Sequence, residues 1–285
     1  MSWNWQVTRP ASFFILILVY NKNLKFKLQV GTRMLKIENL YKTYPNGTQA
    51  LKDVSFEVEE GEFLAVIGLS GSGKSTLLRC INRLIEPTSG KITWNGVDIT
   101  AANSKEIRNI RRQIGMIFQQ FNLVKRSSVN TNVLSGRLGY VPTIPSLFHV
   151  FSKSDHEMVL KNLDMVGLSE KIDVRADSLS GGQQQRVGIA RALMQEPKLI
   201  LADEPVASLD PVLAHSILKY LEKLNKEYGM TVICSLHFLD LVHRYATRAI
   251  ALKDGFLVFQ GLPKEIDDAH FKQIYGKEAE RIEVI

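Results

Sequence analysis

The chain has 285 residues, of which 45% are hydrophobic and 23% are charged, a composition typical of a globular protein of one or two domains. Its net charge is +7, but residues 1–33 carry five basic side chains and no acidic one, so subtracting those five leaves +2 for the rest. A nearly neutral main part disfavours the strongly basic face that nucleic-acid binding would need. The two cysteines, Cys80 and Cys234, are too few for a disulfide framework, which favours a reducing compartment.

Residues 1–33 differ in character from the rest of the chain. The apolar run 11–20 has ten residues, whereas a spanning helix needs about 20, and no small-x-small cleavage site follows it. Alternation of apolar and polar residues over 24–30 predicts an amphipathic edge strand. We expect residues 1–33 to be a dispensable extension, with Met34 as the working start. A weak membrane-surface anchor is the alternative.

From residue 34 to residue 261 the sequence has the pattern of an α/β domain. Apolar or alternating runs predict strands at 35–40, 54–59, 63–67, 91–98, 114–118, 199–202 and 231–235, with a turn at Asn95-Gly96 within the fourth of them. Apolar spacing predicts helices over 76–84, over 155–166 and from the Ser-Gly-Gly segment near 180 to Met194. We interpret 120–178 as a mostly helical insertion, with a looser Pro-containing stretch over 135–154. Residues 262–285 are predicted to form a C-terminal helix or tail.

The segment 68–75 reads Gly-Leu-Ser-Gly-Ser-Gly-Lys-Ser and fits the pattern G-x-x-x-x-G-K-[ST]. It lies between a predicted buried strand and a predicted helix, where glycines let backbone N–H groups surround phosphate oxygens. The helix also directs its positive end at the same anion. Lys74 would contact the β- and γ-phosphates, and the Ser75 hydroxyl would bind Mg²⁺. The alternative is an ordinary Gly/Ser connection, which the agreement of strand, spacing and helix disfavours.

Two adjacent carboxylates follow the predicted strand at 199–202. Asp203 can hold a hydrated Mg²⁺, because this ion keeps several waters and takes few protein carboxylates. Glu204 can then orient or deprotonate an attacking water. Alone, an Asp-Glu pair at a strand end would more often be a cap or a solvated turn. Together with a phosphate-binding loop, it predicts a nucleotide-hydrolysing site.

A third element, Leu-Ser-Gly-Gly-Gln at 179–183, precedes a predicted helix. Its hydroxyl and free N–H groups could bind an anion, although the segment taken alone is more often a Ser cap with flexible glycines. This segment lies between the phosphate-binding loop and the carboxylate strand, and the three elements together resemble those of the ATP-binding cassette ATPases. The resemblance covers roughly residues 34–261. It implies an α/β fold of the P-loop NTPase class, with a mixed sheet core and an inserted helical subdomain at 120–178.

The resemblance also assigns roles to residues that would not indicate a function on their own. Tyr44 is similar to the aromatic that stacks on adenine, and Gln119 to the glutamine that senses Mg²⁺ and the attacking water. His237 is similar to the switch histidine on the γ-phosphate, and the segment 208–210 to the loop that crosses the dimer interface. The resemblance thus implies three catalytic residues: Glu204, His237 and Gln119. The implied metal ligands are Ser75, Gln119 and Asp203. The implied ATP-binding residues are Tyr44, Gly68, Ser70, Gly71, Ser72, Gly73, Lys74, Ser75, Thr76, Ser180, Gly181, Gly182, Gln183 and Asp210.

In such ATPases two cassettes pair head to tail, so that each ATP lies between one chain's phosphate-binding loop and the other chain's Leu-Ser-Gly-Gly-Gln. The resemblance therefore implies a homodimer with ATP and Mg²⁺ as cofactors. It also implies two transmembrane permease subunits that dock on 120–178 and no nucleic-acid partner. The location that follows is peripheral, on the cytoplasmic face of the cell membrane.

The segments 133–139 and 202–210, the Pro-containing stretch to Phe151 and the Ser-Leu-His around His237 resemble the ATP-binding subunits of phosphonate importers. This implies an extracytoplasmic phosphonate-binding protein as a further partner. The departures are the first 33 residues and Asn130, where an apolar residue is expected. The alternatives are another cargo (phosphate or phosphite, an amino acid, or a lipoprotein for release) and a soluble cassette protein acting on nucleic acid or ribosomes.

Overall fold

The computed structural model describes residues 33–148, 150–207 and 209–276. The predicted edge strand at 24–30, Ser208 and the last nine residues lie outside the described residues. In chain order, the described strands are β1 (Arg33–Thr43), β2 (Gln49–Glu59), β3 (Phe63–Ile67), β4 (Ser89–Trp94), β5 (Val97–Asp98), β6 (Ile114–Ile117), β7 (Leu199–Ala202), β8 (Thr231–Ser235), β9 (Arg248–Lys253) and β10 (Phe256–Gly261). The α-helices are α1 (Lys74–Ile81), α2 (Ser104–Arg112), α3 (Val129–Leu134), α4 (Thr143–Leu147), α5 (Lys153–Met165), α6 (Gly181–Leu193), α7 (Pro211–Tyr228), α8 (Leu239–Tyr245) and α9 (Asp268–Tyr275).

The strands form two sheets. An antiparallel sheet has the order β2-β1-β4-β5. A second sheet has the order β10-β9-β3-β8-β7-β6, in which β9, β3, β8, β7 and β6 run parallel and β10 pairs antiparallel with β9. Every residue of β3, β6, β7 and β8 is buried, which explains why these strands are short apolar runs without alternation.

The two faces of the parallel sheet contact different cores. From β3, Leu64 and Val66 belong to the core shared with the antiparallel sheet, and Phe63, Ala65 and Ile67 to the core shared with the helices. The alternation follows from the two-residue period of a strand. The sheet is therefore the middle layer of the described molecule. Because its five parallel strands share one direction, their carboxyl ends lie along one edge, where ligands bind in folds of this kind.

The predicted strands from residue 35 onward are all present, and 63–67, 199–202 and 231–235 have the predicted bounds. The predicted strand segment at 91–98 forms β4 and β5, and the turn predicted at Asn95-Gly96 separates them. The helix predicted over 76–84 covers 74–81 instead, because Arg83 adopts φ 53°, a left-handed conformation that an α-helix cannot continue. The prediction omitted α2, whose start is set by a reciprocal capping box between Asn103 and Glu106.

Between β6 and β7 the chain forms helices α3 to α6. The stretch 135–154, predicted as looser, contains the short helix α4, none of whose residues is buried. Asn130 lies in α3, and its amide oxygen is buried without a hydrogen-bond partner in the described residues. This agrees with the expectation that an apolar residue suits this position. Within the described ranges, no helix is long and apolar enough to cross a bilayer.

Candidate active site

The glycine-rich loop between β3 and α1 has a backbone that only glycine adopts without strain. Gly68, Gly71 and Gly73 have φ values of 140°, 79° and 109°. A Cβ atom on Gly68 would lie 2.2 Å from the carbonyl oxygen of Leu252, and one on Gly73 would lie 2.4 Å from that of Ala50. At Gly71 an added Cβ would meet nothing within 4 Å. Two of these glycines are thus fixed by packing and the third faces open space.

Lys74 is held inside this loop. Its Nζ donates hydrogen bonds to the carbonyl oxygens of Gly68 (2.8 Å) and Leu69 (2.9 Å) and lies 3.7 Å from Oε1 of Glu204. Burial lowers the pKa of Lys74 from its ordinary value, while the charges of Glu204 and Asp203 oppose the shift. The ammonium group therefore lies at the loop that would enclose a phosphate, with two carboxylates beside it.

The loop also contains a buried polar atom that has no hydrogen-bond partner among the described residues. This atom is the hydroxyl oxygen of Ser72. A buried hydroxyl without a partner costs about 1–3 kcal/mol, so a ligand oxygen at this position would stabilise it. Ser70 is exposed on the same loop. The unpaired hydroxyl of Ser72 and the exposure of Ser70 both fit a role of this loop in phosphate binding.

Asp203 follows β7 and connects this strand to α1 and to β6. Its side chain is 1% exposed. The Ser75 hydroxyl donates to Oδ1 (2.7 Å), and Nη2 of Arg79 donates to Oδ2 (3.0 Å). Its own backbone N–H donates to the carbonyl of Ile117 at the end of β6 (2.9 Å). Ser75 and Asp203 thus form a pair of hard oxygen donors, the ligand type that Mg²⁺ prefers.

Glu204 has φ 48°, an unusual conformation for a residue with a side chain. Its N–H donates to the Ser235 hydroxyl at the end of β8 (2.8 Å). Its Oε1 lies 2.7 Å from Nε2 of His237, which follows β8. Strain of this kind persists only where neighbouring contacts enforce it, and it is concentrated at functional sites.

Two other predicted residues lie near this group. The Tyr44 hydroxyl is 3.2 Å from Oγ1 of Thr76 in the first turn of α1, so an aromatic ring is fixed beside the phosphate-binding loop. Nζ of Lys42 lies 5.2 Å from the centre of that ring. Gln119 is exposed just after β6, two residues beyond the carbonyl that Asp203 binds. The carboxyl ends of β3, β6, β7 and β8 therefore bring together the residues predicted from separate motifs.

The remaining predicted residues form a second group. Ser180 caps α6 through a capping box with Gln183, and a Cβ on Gly181 would lie 3.7 Å from Leu209. Asp210 caps α7 by accepting from the N–H of Leu213 (3.0 Å). In the described parts of the chain, no hydrogen bond or ion pair joins residues 180–183 or Asp210 to the phosphate-binding loop or to the carboxylates after β7. The side-chain oxygens of Ser180 and Asp210 are instead used as helix caps.

The sequence motifs did not include Arg79, which pairs with the Asp203 carboxylate. Ser235 belongs to the Ser-Leu-His segment, but its hydrogen bond from the backbone N–H of Glu204 was not predicted. Arg79 is four residues after Ser75 on α1, so helical spacing places both on one face, and this signal could have identified it. Ser235 carries no such signal, because its role depends on the pairing of β7 with β8.

Comparison with known proteins gives three concordant results. The sequence model of the ABC transporter family matches residues 51–207. The chain is 56% identical over 254 residues to the phosphonates import ATP-binding protein PhnC of Bdellovibrio bacteriovorus, covering 89% of this chain and 97% of the relative. It is 50% identical over 244 residues to phosphonates import ATP-binding protein PhnC 3 of Halalkalibacterium halodurans, covering 86% and 95%.

Solved structures give the same result. The dimeric post-hydrolysis state of the ATP-binding cassette MJ0796, bound to ADP and Pi, is similar with a TM-score of 0.71 and 37% identity, over 81% of this chain and 99% of that one. The ADP conformation of the cassette MJ1267 is similar with a TM-score of 0.74 and 31% identity, over 85% and 97%. The predicted fold class, a P-loop ABC-type nucleotide-binding domain, is confirmed. The chain belongs to the ABC transporter family, as one of its ATP-binding cassettes.

Proposed function

We propose that this chain is the ATP-hydrolysing subunit of an ABC transporter that energises the import of phosphonates. The observation that carries the ATPase assignment is the convergence of Lys74, Asp203, Glu204 and His237 at the carboxyl edge of one parallel sheet. The cargo assignment is supported by relatives that are 50–56% identical over most of their length and are named phosphonates import ATP-binding proteins.

The loop residues 68–76 are proposed to bind the triphosphate through backbone N–H groups, the Ser72 hydroxyl and the Lys74 ammonium. Ser75, Asp203 and Gln119 would hold Mg²⁺, and their oxygen donors fit this ion. When bound, Mg²⁺ supplies positive charge that stabilises the phosphate oxygens during transfer. Tyr44 would stack on the adenine ring, beside the loop to which Thr76 fixes it.

Glu204 is proposed to accept a proton from the attacking water, so that the water oxygen bonds to the γ-phosphorus and ADP leaves. His237 holds Oε1 of this carboxylate, which leaves Oε2 for the water. The hydrogen bond between the Glu204 N–H and Ser235 fixes the backbone that carries the base. Each of these residues orients a group or moves a proton, while the phosphate-binding loop holds the substrate.

A second copy of the chain would complete the site. Residues 180–183 and Asp210 are needed for ATP binding in the proposed scheme, yet they share no hydrogen bond with the phosphate-binding loop among the described residues. A head-to-tail homodimer would place Ser180–Gln183 of one copy against the ATP of the other. The MJ0796 relative is described as dimeric in its post-hydrolysis state, which supports this arrangement.

Partner docking is proposed on the insertion at 120–178. Its helix α4 and the following residues expose large apolar side chains, and an adjacent cavity of about 330 Å³ contains arginines of α2. The exposed apolar residues are Ile144, Leu147, Phe148 and Val150; the cavity residues include Arg108, Arg111, Arg112 and Tyr140. Two permease subunits would bind here, at the cytoplasmic face of the membrane, and an extracytoplasmic phosphonate-binding protein would deliver the cargo. Residues 34–261 are the proposed ATPase domain, with 1–33 as an extension and 262–285 as a C-terminal tail.

The test is nucleotide binding and phosphate release by the purified full chain, with Lys74→Ala as the comparison. We expect the wild-type chain to bind ATP, and its specific activity to rise with protein concentration, because two copies form each site. Lys74→Ala should bind ATP weakly. Equal ATP binding by both proteins, or a specific activity independent of concentration in a monomer, would contradict the proposal.

A further inference from the structure

The charged groups of the active site pair with one another. Lys74 lies 3.7 Å from Glu204, and Arg79 lies 3.0 Å from Asp203. The Asp203 side chain is 1% exposed, so its charge has almost no access to water. A buried carboxylate needs a partner of opposite charge, because desolvation of an unpaired charge costs several kcal/mol. Arg79 meets this need in the structure, although no motif includes it.

We propose that Arg79 is the built-in counter-cation of Asp203: it compensates the carboxylate in the nucleotide-free chain and is displaced when Mg²⁺ arrives with ATP. The inference rests on the proposed function, which assigns Mg²⁺ to Ser75 and Asp203. It adds a residue that controls when the metal binds. Free Mg²⁺ should bind the nucleotide-free chain poorly, since Asp203 is already neutralised.

Both oxygens of the carboxylate are occupied. The Ser75 hydroxyl donates to Oδ1, and the Arg79 guanidinium donates to Oδ2. A cation 3 Å from a carboxylate repels a second cation that approaches the same group. Mg²⁺ would therefore need the triphosphate's negative charge to compete with Arg79. Metal and nucleotide should enter together.

The Arg79 side chain can move into solvent once it is displaced from Asp203. Its side chain is 42% exposed, so the guanidinium can turn into solvent while its aliphatic stem stays packed. It also lies in the last turn of α1, where a positive charge is favourable because of the helix dipole. Breaking the pair is thus easier for Arg79 than it would be for a fully buried arginine.

The test measures thermal unfolding of the full chain without nucleotide, first in chelator and then with about 10 mM Mg²⁺ at constant ionic strength. Arg79→Ala removes the counter-cation, Arg79→Lys keeps the charge, and Arg79→Gln keeps hydrogen-bond donors without charge. Arg126→Ala is the matched control, because Arg126 is exposed and makes no ion pair with the described residues.

We expect the wild-type chain, Arg79→Lys and Arg126→Ala to change in Tm by less than about 1 °C when Mg²⁺ is added. Arg79→Ala and Arg79→Gln should unfold about 5 °C lower in chelator and recover about 3 °C or more with Mg²⁺. The additional change Asp203→Asn should abolish that recovery. A merely structural arginine would lower the Tm but would not create a response to metal.

The inference is overturned if neither Arg79→Ala nor Arg79→Gln gains a Mg²⁺ response beyond that of the wild-type chain, or if the response survives Asp203→Asn. Should Arg79→Ala fail to fold, Arg79→Gln alone decides the question. ATP binding by the wild-type chain is measured separately. Its failure would contradict the proposed function, whereas normal ATP binding without the metal response would contradict only the role of Arg79.

Discussion

Replacement of Glu204 by Gln removes the proposed base while preserving its shape. The side chain is 14% exposed, and Oε1 contacts Nε2 of His237 at 2.7 Å and faces Nζ of Lys74 at 3.7 Å. Gln has the same length and can keep a hydrogen bond with His237. The backbone hydrogen bond from residue 204 to Ser235 does not involve the side chain. The variant should therefore fold with the same site geometry.

The expected effect on the reaction is much larger than that on stability. A positioned general base contributes about 10²–10⁴-fold to the rate, equivalent to about 2.7–5.5 kcal/mol in the activation free energy. The fold loses only the attraction to Lys74, whose Nζ keeps its two carbonyl partners, so we expect a loss of about 1–2 kcal/mol in the free energy of unfolding. ATP should still bind, because no phosphate-binding group has been removed.

The assay is phosphate release at saturating ATP, together with gel filtration in the presence of ATP. Glu60→Gln is the matched control, since Glu60 is exposed in the β2–β3 turn, away from the site. Glu204→Gln should lose at least about 99% of the activity and elute as an ATP-dependent dimer, while the control behaves as wild type. If Glu204→Gln kept more than about a tenth of the activity, or formed no dimer with ATP, the assigned role of Glu204 would be refuted.

The same geometry supports three further predictions. Lys74→Ala should weaken ATP binding, measured by equilibrium titration, with no comparable loss for an exposed lysine. Gly73→Ala should lower the free energy of unfolding by about 3 kcal/mol, because the added Cβ would lie 2.4 Å from the carbonyl oxygen of Ala50. Gly71→Ala should lower it by only about 1 kcal/mol, because the added Cβ meets no atom within 4 Å. Chemical denaturation compares the two variants, and equal losses of stability would contradict the packing argument. Ser180→Ala should cost about 1 kcal/mol through loss of the α6 cap and should weaken the ATP-dependent dimer in gel filtration; an unchanged dimer would count against its place at the interface.

The buried strands could be predicted from sequence because each is a short apolar run bounded by turn residues. Phe63–Ile67 and Thr231–Ser235 have the predicted bounds, since every residue of both strands is buried and no alternation with exposed residues interrupts either run. Helix α2 was missed because only Ile107 and Ile110 are buried among its mostly polar residues. Its start depends on a reciprocal cap rather than on apolar periodicity. The division of the strands into two sheets also depends on long-range pairing that no local pattern encodes.

The candidate site was predictable to the extent that its groups lie in contiguous motifs. Gly68–Ser75 and the carboxylates after β7 were found because their spacing is local. Arg79 was missed because its partner, Asp203, is 124 residues away in sequence. The cap roles of Ser180 and Asp210 follow from ordinary helix-capping chemistry, and their role toward ATP remains a prediction about a second copy of the chain.

The most direct test of the account is ATPase activity of the complex reconstituted from this chain, its permease and its extracytoplasmic binding protein. A phosphonate, phosphate, phosphite and methionine are added in turn, and Glu204→Gln is the inactive control. We expect a phosphonate to stimulate ATP hydrolysis by the wild-type complex and the other ligands to leave it unchanged. Stimulation by phosphate, phosphite or methionine but not by a phosphonate would contradict the proposed cargo, and the absence of any ATP hydrolysis would contradict the account as a whole.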